Sequence, residues 1–431
     1  MSSAATIFAL SSGAPPAGVG VIRVSGPLAR AALEVLAGRV PPPRRASLAS
    51  LRDAEGALLD EALVLWFPGP ATATGEDLAE FHCHGGRAVI AAVEAALAAL
   101  PDTRRAEPGE FTRRAFANGR IDLAEAEGLA DLLSAETELA RAAALANAGG
   151  AVSRQVEAWR ERVLALSAEV EGVLDFSDEE DAADLPESFT WNIRALGDEI
   201  AAWLARPRSE RLGEGFRVVL AGPPNAGKST LFNALVESEA AITSPIAGTT
   251  RDVIERSVAI GGVPFTFVDT AGLRVVESAA EADQIEAIGI ARAEAELARA
   301  DLVLWLGPEG AGPVGAWEVA AQADRAGFVA KNAARFIVSA ATEEGLAALK
   351  SALVEAARAA LPKPGDATLN ARQHERLSEA GEALAGAQAV SDPLLVAEEL
   401  RRARLAFDRL IGRATTEDML DTLFGRFCIG K

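Results

Sequence analysis

One eight-residue segment, GPPNAGKS at positions 222–229, constrains the fold more than any other part of the 431-residue sequence. It fits the pattern G-x-x-x-x-G-K-S, follows the apolar run RVVLA and precedes the run STLFNALV. A strand, a glycine-rich loop and a helix in this order form a phosphate-binding loop, because the loop N–H groups and the helix N-terminus face phosphate oxygens. Residues 222–229 (the P-loop) therefore predict an α/β domain that binds a nucleotide.

Individual residues of the P-loop have expected roles. Lys228 is expected to contact the β- and γ-phosphates, and Ser229 to ligate Mg²⁺. Asn225 offers a side-chain carbonyl for a monovalent cation between the phosphates, although it could instead only shape the loop. Lysine is rare in this chain, with 5 residues against 37 arginines, which adds weight to Lys228. The predicted nucleotide contacts of this region are Asn225, Ala226, Gly227, Lys228, Ser229 and Thr230.

Two further motifs follow the P-loop at a spacing typical of GTPases. In GTTRD at positions 248–252, Thr250 is expected to close on Mg²⁺ and to sense the γ-phosphate. In DTAG at positions 269–272, Asp269 is expected to hold Mg²⁺ through water. Leu273 stands where the best-known small GTPases have a Gln that orients water, so hydrolysis must be arranged differently. The two motifs add Gly248, Thr249, Thr250, Asp269, Thr270, Ala271 and Gly272 to the predicted site.

The base is predicted to be guanine rather than adenine. GTPases read guanine with N-K-x-D, whose Asp accepts hydrogen bonds from the base. Residues 321–324 read AQAD, so Asp324 remains while Asn and Lys are missing. Asp324 could instead be a solvated loop acid. Ser339, Ala340 and Ala341, which follow the strand-like run RFIV, fit a second guanine-binding loop. GTP is thus the expected ligand, and the motif leaves the strength of guanine recognition open.

The rest of the chain divides into mixed and helical segments. Residues 1–118 combine short strands such as TIFAL with a helical run at 85–100, whereas residues 119–210 and 365–431 have helical spacing, with one long helical pattern at 121–146. Residues 211–364 alternate buried strands with helices, which predicts a parallel sheet covered by helices. We therefore expect a multidomain α/β and α fold: an N-terminal α+β domain, a discontinuous helical domain and an inserted Ras-like G domain. Tryptophans 159, 191 and 203 are expected in the core.

Charge and composition exclude several classes of protein. The net charge is −20, which argues against a non-specific nucleic-acid binder. Residues 119–210 hold 20 acidic against 8 basic side chains, and the densest stretch, at 175–187, is either a solvated loop or a docking surface for a basic partner or a cation. No apolar run has the length of a membrane span, and the N-terminus does not resemble a signal peptide. Two cysteines fit a reducing cytoplasm.

Longer motifs carry a resemblance to a known family. GPPNAGKST, GTTRD and DTAGLR resemble the TrmE-Era-Septin-type GTPases, and PGEFTRRAFANGRIDLAEAEGLADL with the C-terminal FCIGK resembles the MnmE (TrmE) family of tRNA-modification GTPases. The resemblance implies a homodimer and a tRNA substrate. It implies an MnmG-type partner with FAD that uses NADH, in a heterotetramer or larger complex. Together they would install a carboxymethylaminomethyl or aminomethyl group at C5 of the wobble uridine. A 5-formyl-type tetrahydrofolate would bind in residues 1–118, the folate-binding and dimerisation domain.

The resemblance also assigns roles to residues. It places Arg23, Glu80, Arg120 and Lys431 at the folate site, although Arg23 could instead form a structural ion pair. It assigns K⁺ to Asn225, Ser244, Ile246 and Thr249, with Pro245 and Ala247 beside them, and makes Glu286 the general base. Cys428 in FCIGK is expected near the one-carbon chemistry. A regulatory or ribosome-assembly GTPase without one-carbon chemistry is the alternative function.

The triplet at residues 82–84 has the residue types of a metal site but not the geometry. Residues 82–84 read His-Cys-His, but on a strand His82 and His84 share a face with Glu80, while Cys83 points to the other face. A metal site there is therefore not expected.

Overall fold

The computed structural model describes residues 5–175, 185–237, 240–241, 254–270, 291, 293–414, 416–425 and 427–431. The chain forms two units, Met1–Ala130 with Arg404–Lys431, and Asp131–Ala403. The segment boundaries expected at residues 118, 210 and 364 stay predictions.

Thirteen strands and thirteen helices are delimited within the described residues. The strands are β1 Thr6–Leu10, β2 Val19–Ser25, β3 Ser47–Arg52, β4 Leu58–Phe67, β5 Leu78–His84, β6 Thr103–Arg105, β7 Phe216–Ala221, β8 Ala240–Ala241, β9 Ile254–Ile260, β10 Val263–Asp269, β11 Leu302–Trp305, β12 Trp317–Ala320 and β13 Phe336–Ile337. The helices are α1 Ala29–Ala37, α2 Arg87–Ala98, α3 Glu110–Ala117, α4 Leu123–Ser134, α5 Glu138–Ala148, α6 Ala151–Asp175, α7 Glu187–Leu204, α8 Glu210–Glu214, α9 Lys228–Val236, α10 Leu346–Ala360, α11 Ala371–Ala389, α12 Pro393–Ile411 and α13 Glu417–Phe424.

The first unit is built on a six-stranded sheet in the order β3-β4-β5-β2-β1-β6. β1 and β6 run parallel, and the other described neighbours are antiparallel. Apolar residues alternate along β2, so that Ile22 and Val24 are buried while Arg23 between them lies on the other face. Leu33 of α1 and Val93 of α2 complete the core on the buried face. The opposite face, which carries Arg23, is partly covered by Phe111 of α3.

The second unit contains a seven-stranded sheet in the order β13-β12-β11-β7-β10-β9-β8. The strands from β13 to β10 run parallel, and β9 and β8 add an antiparallel edge. Five parallel strands with one antiparallel pair beside β10, packed against helices such as α9, make a Ras-like G domain, which confirms the predicted fold class.

Two crossovers of this sheet differ from the expected pattern. Residues 306–316 and 321–335, both fully described, contain no helix. The first of these carries four glycines and two prolines within 307–315, residues that disfavour a helix interior. Helices thus cover the half of the sheet near β7 and β10 more completely than the β12 edge.

The helical parts before and after the G domain pack together, as the predicted discontinuous domain requires. Gly381 of α11 lies against α7, where a Cβ would stand 3.5 Å from Ile200 Cγ2. Trp159 and Trp203 meet edge to face with ring centroids 5.3 Å apart, so both belong to the core as expected. The expectation for Trp191 is wrong, since this residue is 69% exposed on α7.

The helical pattern at 121–146 is interrupted. α4 ends at Ser134, and α5 begins at Glu138. Thr137 caps α5, because its side chain accepts a hydrogen bond from the N–H of Ala140 at 3.2 Å. Periodicity alone does not reveal such a break, because the apolar spacing continues on both sides of the cap.

Candidate functional site

The P-loop leaves the sheet at its centre. β7, which leads into it, pairs in parallel with both β10 and β11. Three loop residues have positive φ angles, Gly222 at 147°, Asn225 at 61° and Gly227 at 91°. A Cβ at Gly222 would lie 2.9 Å from the backbone N of Gly307, so the close approach of the two loops requires glycine there. The predicted strand–loop–helix geometry is present.

Lys228 stands at the first position of α9 with its side chain folded into the loop. The residue is 5% exposed, and its Nζ donates to the carbonyl oxygens of Gly222 and Pro223, both at 2.8 Å. A buried ammonium requires such partners. Ser229 and Thr230 are exposed in the first turn of α9, where the helix dipole favours an anion. The loop therefore presents a cation, hydroxyls and a helix N-terminus in one place.

The carboxyl end of β10 lies beside the P-loop strand. Asp269 is fully buried and pairs in register with Leu220. Thr270 Oγ1 donates to the carbonyl of Leu220 at 2.9 Å. This places the start of the DTAG motif next to the phosphate-binding loop. The predicted residues Ser244, Pro245, Ile246, Ala247, Gly248, Thr249, Thr250, Ala271, Gly272 and Glu286 lie outside the described residues.

One short hydrogen bond joins the AQAD motif at 321–324 to the loop that begins at Ser339. Ser339 Oγ donates to Asp324 Oδ1 at 2.6 Å, and the N–H of Thr342 donates to Ser339 Oγ at 3.1 Å. The Ser339 hydroxyl, together with the backbone N–H of Asp324 itself, holds the pKa of Asp324 below its usual range. Ala340 and Ala341 form the turn that follows. Two residues predicted separately thus form one unit with an ionised, exposed carboxylate.

Sequence reasoning did not single out Gln322. Its Nε2 donates to the carbonyl oxygen of Asn225 in the P-loop at 3.1 Å. Gln322 has a φ of 63°, an uncommon conformation for a residue other than glycine. The only signal in the sequence is an amide side chain inside a degenerate motif.

In the first unit, Arg23 and Glu80 contact each other directly. Arg23 Nη2 lies 2.9 Å from Glu80 Oε1, and its Nε lies 3.1 Å from the same oxygen. His82 Nε2 lies 3.1 Å from Glu80 Oε2. The side chains of Arg23 and Glu80 are 26% and 16% exposed, respectively. The face of the sheet opposite α1 and α2 therefore carries a partly exposed Arg–Glu–His cluster.

The C-terminal tail approaches the same cluster. The N–H of Phe111 donates to the carbonyl of Lys431 at 3.2 Å, and the guanidinium of Arg23 lies 5.9 Å from the centroid of the Phe111 ring. Cys428 is exposed, and its carbonyl accepts from the N–H groups of Gly109 and Lys431. The fold thus gathers Arg23, Glu80 and the tail in one region.

Arg120 lies against a different loop. Its Nε donates to the carbonyl of Thr72 at 3.1 Å, and its Cγ would lie 3.2 Å from a Cβ at Gly75. Arg120 therefore flanks the 72–75 loop, and its predicted role at the folate site stays a prediction.

The chain matches family profiles and curated proteins along almost its whole length. Residues 6–120 match the profile described as "GTP-binding protein TrmE N-terminus", and residues 123–428 match "MnmE helical domain". The "tRNA modification GTPase MnmE" of Erythrobacter litoralis is 65% identical over 426 residues, 99% of this chain and 100% of that protein. The protein of the same name from Novosphingobium aromaticivorans is 64% identical over 438 residues, covering 99% of each chain.

This chain belongs to the MnmE family of tRNA modification GTPases. The expectation of a GTP-hydrolysing enzyme in tRNA modification is therefore confirmed, since members of the MnmE family carry that name. In the described part of the chain, no helix combines the length and apolarity that a bilayer crossing needs.

The two histidines of the first unit have carboxylate partners. His84 Nδ1 lies 2.7 Å from Asp60 Oδ1, while His82 contacts Glu80. Burial, reinforced by Asp60, raises the pKa of the Cys83 thiol to about 12. A thiol with such a pKa is a poor metal ligand at neutral pH. Across the described residues, His, Cys, Asp and Glu form no cluster of three or more that could hold a metal ion.

Proposed function

We propose that this chain is a K⁺-dependent GTPase that works with an FAD-containing MnmG-type partner. Together they install a carboxymethylaminomethyl or aminomethyl group at C5 of the tRNA wobble uridine. A 5-formyl-type folate is the one-carbon donor, and the partner uses NADH. One observation carries the proposal: a strand–loop–helix unit with a buried Lys228, in a chain 65% identical to a tRNA modification GTPase. The protein acts in the cytoplasm, as a homodimer within a heterotetramer or larger complex.

The nucleotide is held by groups that the P-loop already presents. Lys228 exchanges its two carbonyl partners for β- and γ-phosphate oxygens, because phosphate binds an ammonium more strongly than a carbonyl does. Ser229 and Thr250 ligate Mg²⁺, and Asp269 holds it through water. That ion neutralises charge on the phosphates. Asp324 accepts hydrogen bonds from guanine, with Ser339 keeping its carboxyl ionised.

The proposed K⁺ site begins at Asn225. Asn225 is exposed, and the glycine-rich loop around it accommodates its positive φ. Ser244, Ile246 and Thr249 complete the proposed set, and Glu286 is the proposed general base that activates water. A cation between the phosphates supplies the positive charge that an arginine finger gives in other GTPases.

The GTPase proposal is tested by turnover in KCl and in NaCl at equal ionic strength. The rate is expected to be about tenfold or more higher in KCl, since a coordinated cation stabilises charge that develops in the transition state. Asn225→Ala should lose this difference, whereas Lys228→Ala should lose turnover in both salts. Equal rates for the wild-type protein in the two salts contradict the K⁺ part.

The folate proposal rests on the Arg23–Glu80 cluster and the adjoining tail. A guanidinium that is partly exposed can exchange a carboxylate partner within the protein for one on a ligand. Calorimetric titration with 5-formyltetrahydrofolate should show binding that Arg23→Ala weakens at least tenfold. Arg30→Ala, on an exposed helix face, is the matched control. Folate affinity that is unchanged in Arg23→Ala contradicts this residue assignment.

The tRNA substrate is tested in cells. Nucleoside analysis of tRNA from cells without the gene should show an unmodified wobble uridine, and the wild-type gene should restore the modification. A regulatory GTPase without one-carbon chemistry would leave the wobble uridine modified in the deleted strain.

A further inference from the structure

We propose that Gln322 is a positioning residue, which ties the base-binding loop (residues 321–325) to the P-loop and so fixes the spacing between the phosphate and base subsites. The inference rests on the proposed function, because it assumes that a guanine nucleotide spans both loops. It assigns a role to a residue that replaces part of the usual guanine motif.

The first observation is the contact between the loops. Gln322 Nε2 donates to the backbone carbonyl of Asn225 at 3.1 Å, across 97 residues of sequence. Its side chain also covers Gly227, where a Cβ would lie 2.9 Å from Nε2 and 3.1 Å from Cγ. Gln322 therefore touches the P-loop at Asn225 and Gly227, two of the three P-loop residues that have positive φ angles.

The second observation is the conformation of Gln322 itself. A φ of 63° is disfavoured for a side chain with a Cβ, and glycine would adopt it without strain. Such conformations persist where surrounding contacts over-determine them. Here the carbonyl of Gln322 also accepts from the N–H of Arg325 at 3.0 Å, which closes the loop into a turn. The strained backbone aims the amide at the P-loop.

The third observation is the anchoring of the other end of the same loop. The N–H of Ala323 donates to the carbonyl of Val338 at 3.2 Å, and the carboxylate of Asp324 is held by Ser339. The base-binding loop is thus fixed on both sides, to the P-loop through Gln322 and to the Ser339 loop through Asp324. A nucleotide that bridges the two subsites meets a preorganised spacing, and preorganisation raises affinity.

The experiment measures equilibrium binding of a fluorescent GDP to the full-length protein. Gln322→Ala is expected to weaken binding about fivefold, the usual effect of one hydrogen bond. Gln322→Glu keeps the length but places an acceptor against the Asn225 carbonyl, so it should bind no better than Gln322→Ala. Gln388→Ala removes an exposed amide on α11 and should change nothing.

Gln322→Gly distinguishes the contribution of the side chain to binding from that of the backbone conformation. Glycine keeps the positive φ at no steric cost and lacks the amide. It should bind as weakly as Gln322→Ala. Wild-type affinity in Gln322→Gly overturns the proposal, because the turn alone would then suffice.

A double-mutant cycle with Asp324→Ala distinguishes positioning from a local structural effect. Without the Asp324 carboxylate that binds the base, the spacing between the phosphate and base subsites no longer matters. Gln322→Ala should therefore lower the affinity for GDP less than twofold in the Asp324→Ala background. Losses that simply multiply overturn the proposal, since Gln322 would then act only on the shape of the P-loop. Failure of the proposed function has a different signature: the wild-type protein would bind ATP as tightly as GTP.

Discussion

At the scale of single residues, the carboxylate of Asp324 has a contact with a direct consequence for binding. The Ser339 hydroxyl donates to it at 2.6 Å and lowers its pKa. A carboxyl with a lowered pKa stays ionised as the pH falls, until the pH passes through the lowered value. In the proposed guanine site only the ionised form accepts both hydrogen bonds from the base, so Ser339 is expected to extend the pH range of base recognition towards acid.

Ser339→Ala is therefore expected to raise the pKa of Asp324 towards its usual range. The measurement is a ¹³C NMR titration of the Asp324 carboxyl in the folded protein. Guanine-nucleotide affinity should then fall at a higher pH in the variant than in the wild-type protein. Ser351→Ala, at an exposed position of α10, is the control. A carboxyl titration that is the same in Ser339→Ala and in the wild-type protein contradicts this assignment.

At the scale of elements, α5 connects the G domain to the chain segment that leaves it. The N–H of Leu139 donates to the carbonyl of Gly262, in the turn between β9 and β10, at 3.1 Å. At the other end of α5, the buried Asn147 makes three hydrogen bonds with Thr368: Nδ2 donates to the backbone carbonyl at 2.9 Å and to Oγ1 at 3.2 Å, and Oδ1 accepts from the N–H at 3.2 Å. α5 thus braces the exit of the inserted domain.

Asn147→Ala is expected to destabilise the protein by about 2–3 kcal/mol, because it leaves buried groups of Thr368 without partners. Thermal unfolding followed by circular dichroism should show a lower Tm. Asn332→Ala, which removes an exposed amide in the 321–335 crossover, should leave Tm unchanged. A Tm for Asn147→Ala equal to that of Asn332→Ala refutes the bracing role of this contact.

At the scale of the whole molecule, the charge of −20 is concentrated in one part of the sequence. Residues 119–210 hold 20 acidic against 8 basic side chains, whereas residues 1–118 are nearly neutral, with 12 against 11. Binding of tRNA requires phosphate neutralisation by Lys and Arg. A protein with this distribution is therefore expected to leave much of the tRNA binding to a partner and to offer that partner an acidic surface.

Charge reversal tests this expectation. Replacing Asp178, Glu179, Glu180 and Asp181, which lie outside the described residues, by Lys should weaken association with the MnmG-type subunit about tenfold at low salt, since electrostatic attraction assists association. Reversal of four exposed acids elsewhere in the chain, Glu343, Glu344, Glu355 and Asp366, changes the net charge equally and is the control. Equal affinities of the two variants for the MnmG-type subunit in analytical ultracentrifugation contradict the prediction that the acidic segment is a docking surface.

The sequence by itself determined the P-loop, the strand β7 before it, the helix α9 after it and the family. Each of these depends on residues that are contiguous in the chain. The run RVVLA predicts β7, and GPPNAGKS predicts the loop with Lys228. The alternation of residues 80–84 also predicted that Cys83 points away from the face of His82, and the structure shows that its side chain is buried there. Local geometry is sufficient for each of these inferences.

Only the tertiary structure decided which distant groups meet. Gln322 reaches Asn225 across 97 residues and Arg23 reaches Glu80 across 57, and no local pattern specifies such pairs. The exposure of Trp191 and the two crossovers without a helix were likewise missed, because they depend on how elements pack. Packing adds contacts between residues far apart in the chain, and these contacts set the spacing and charge of the site.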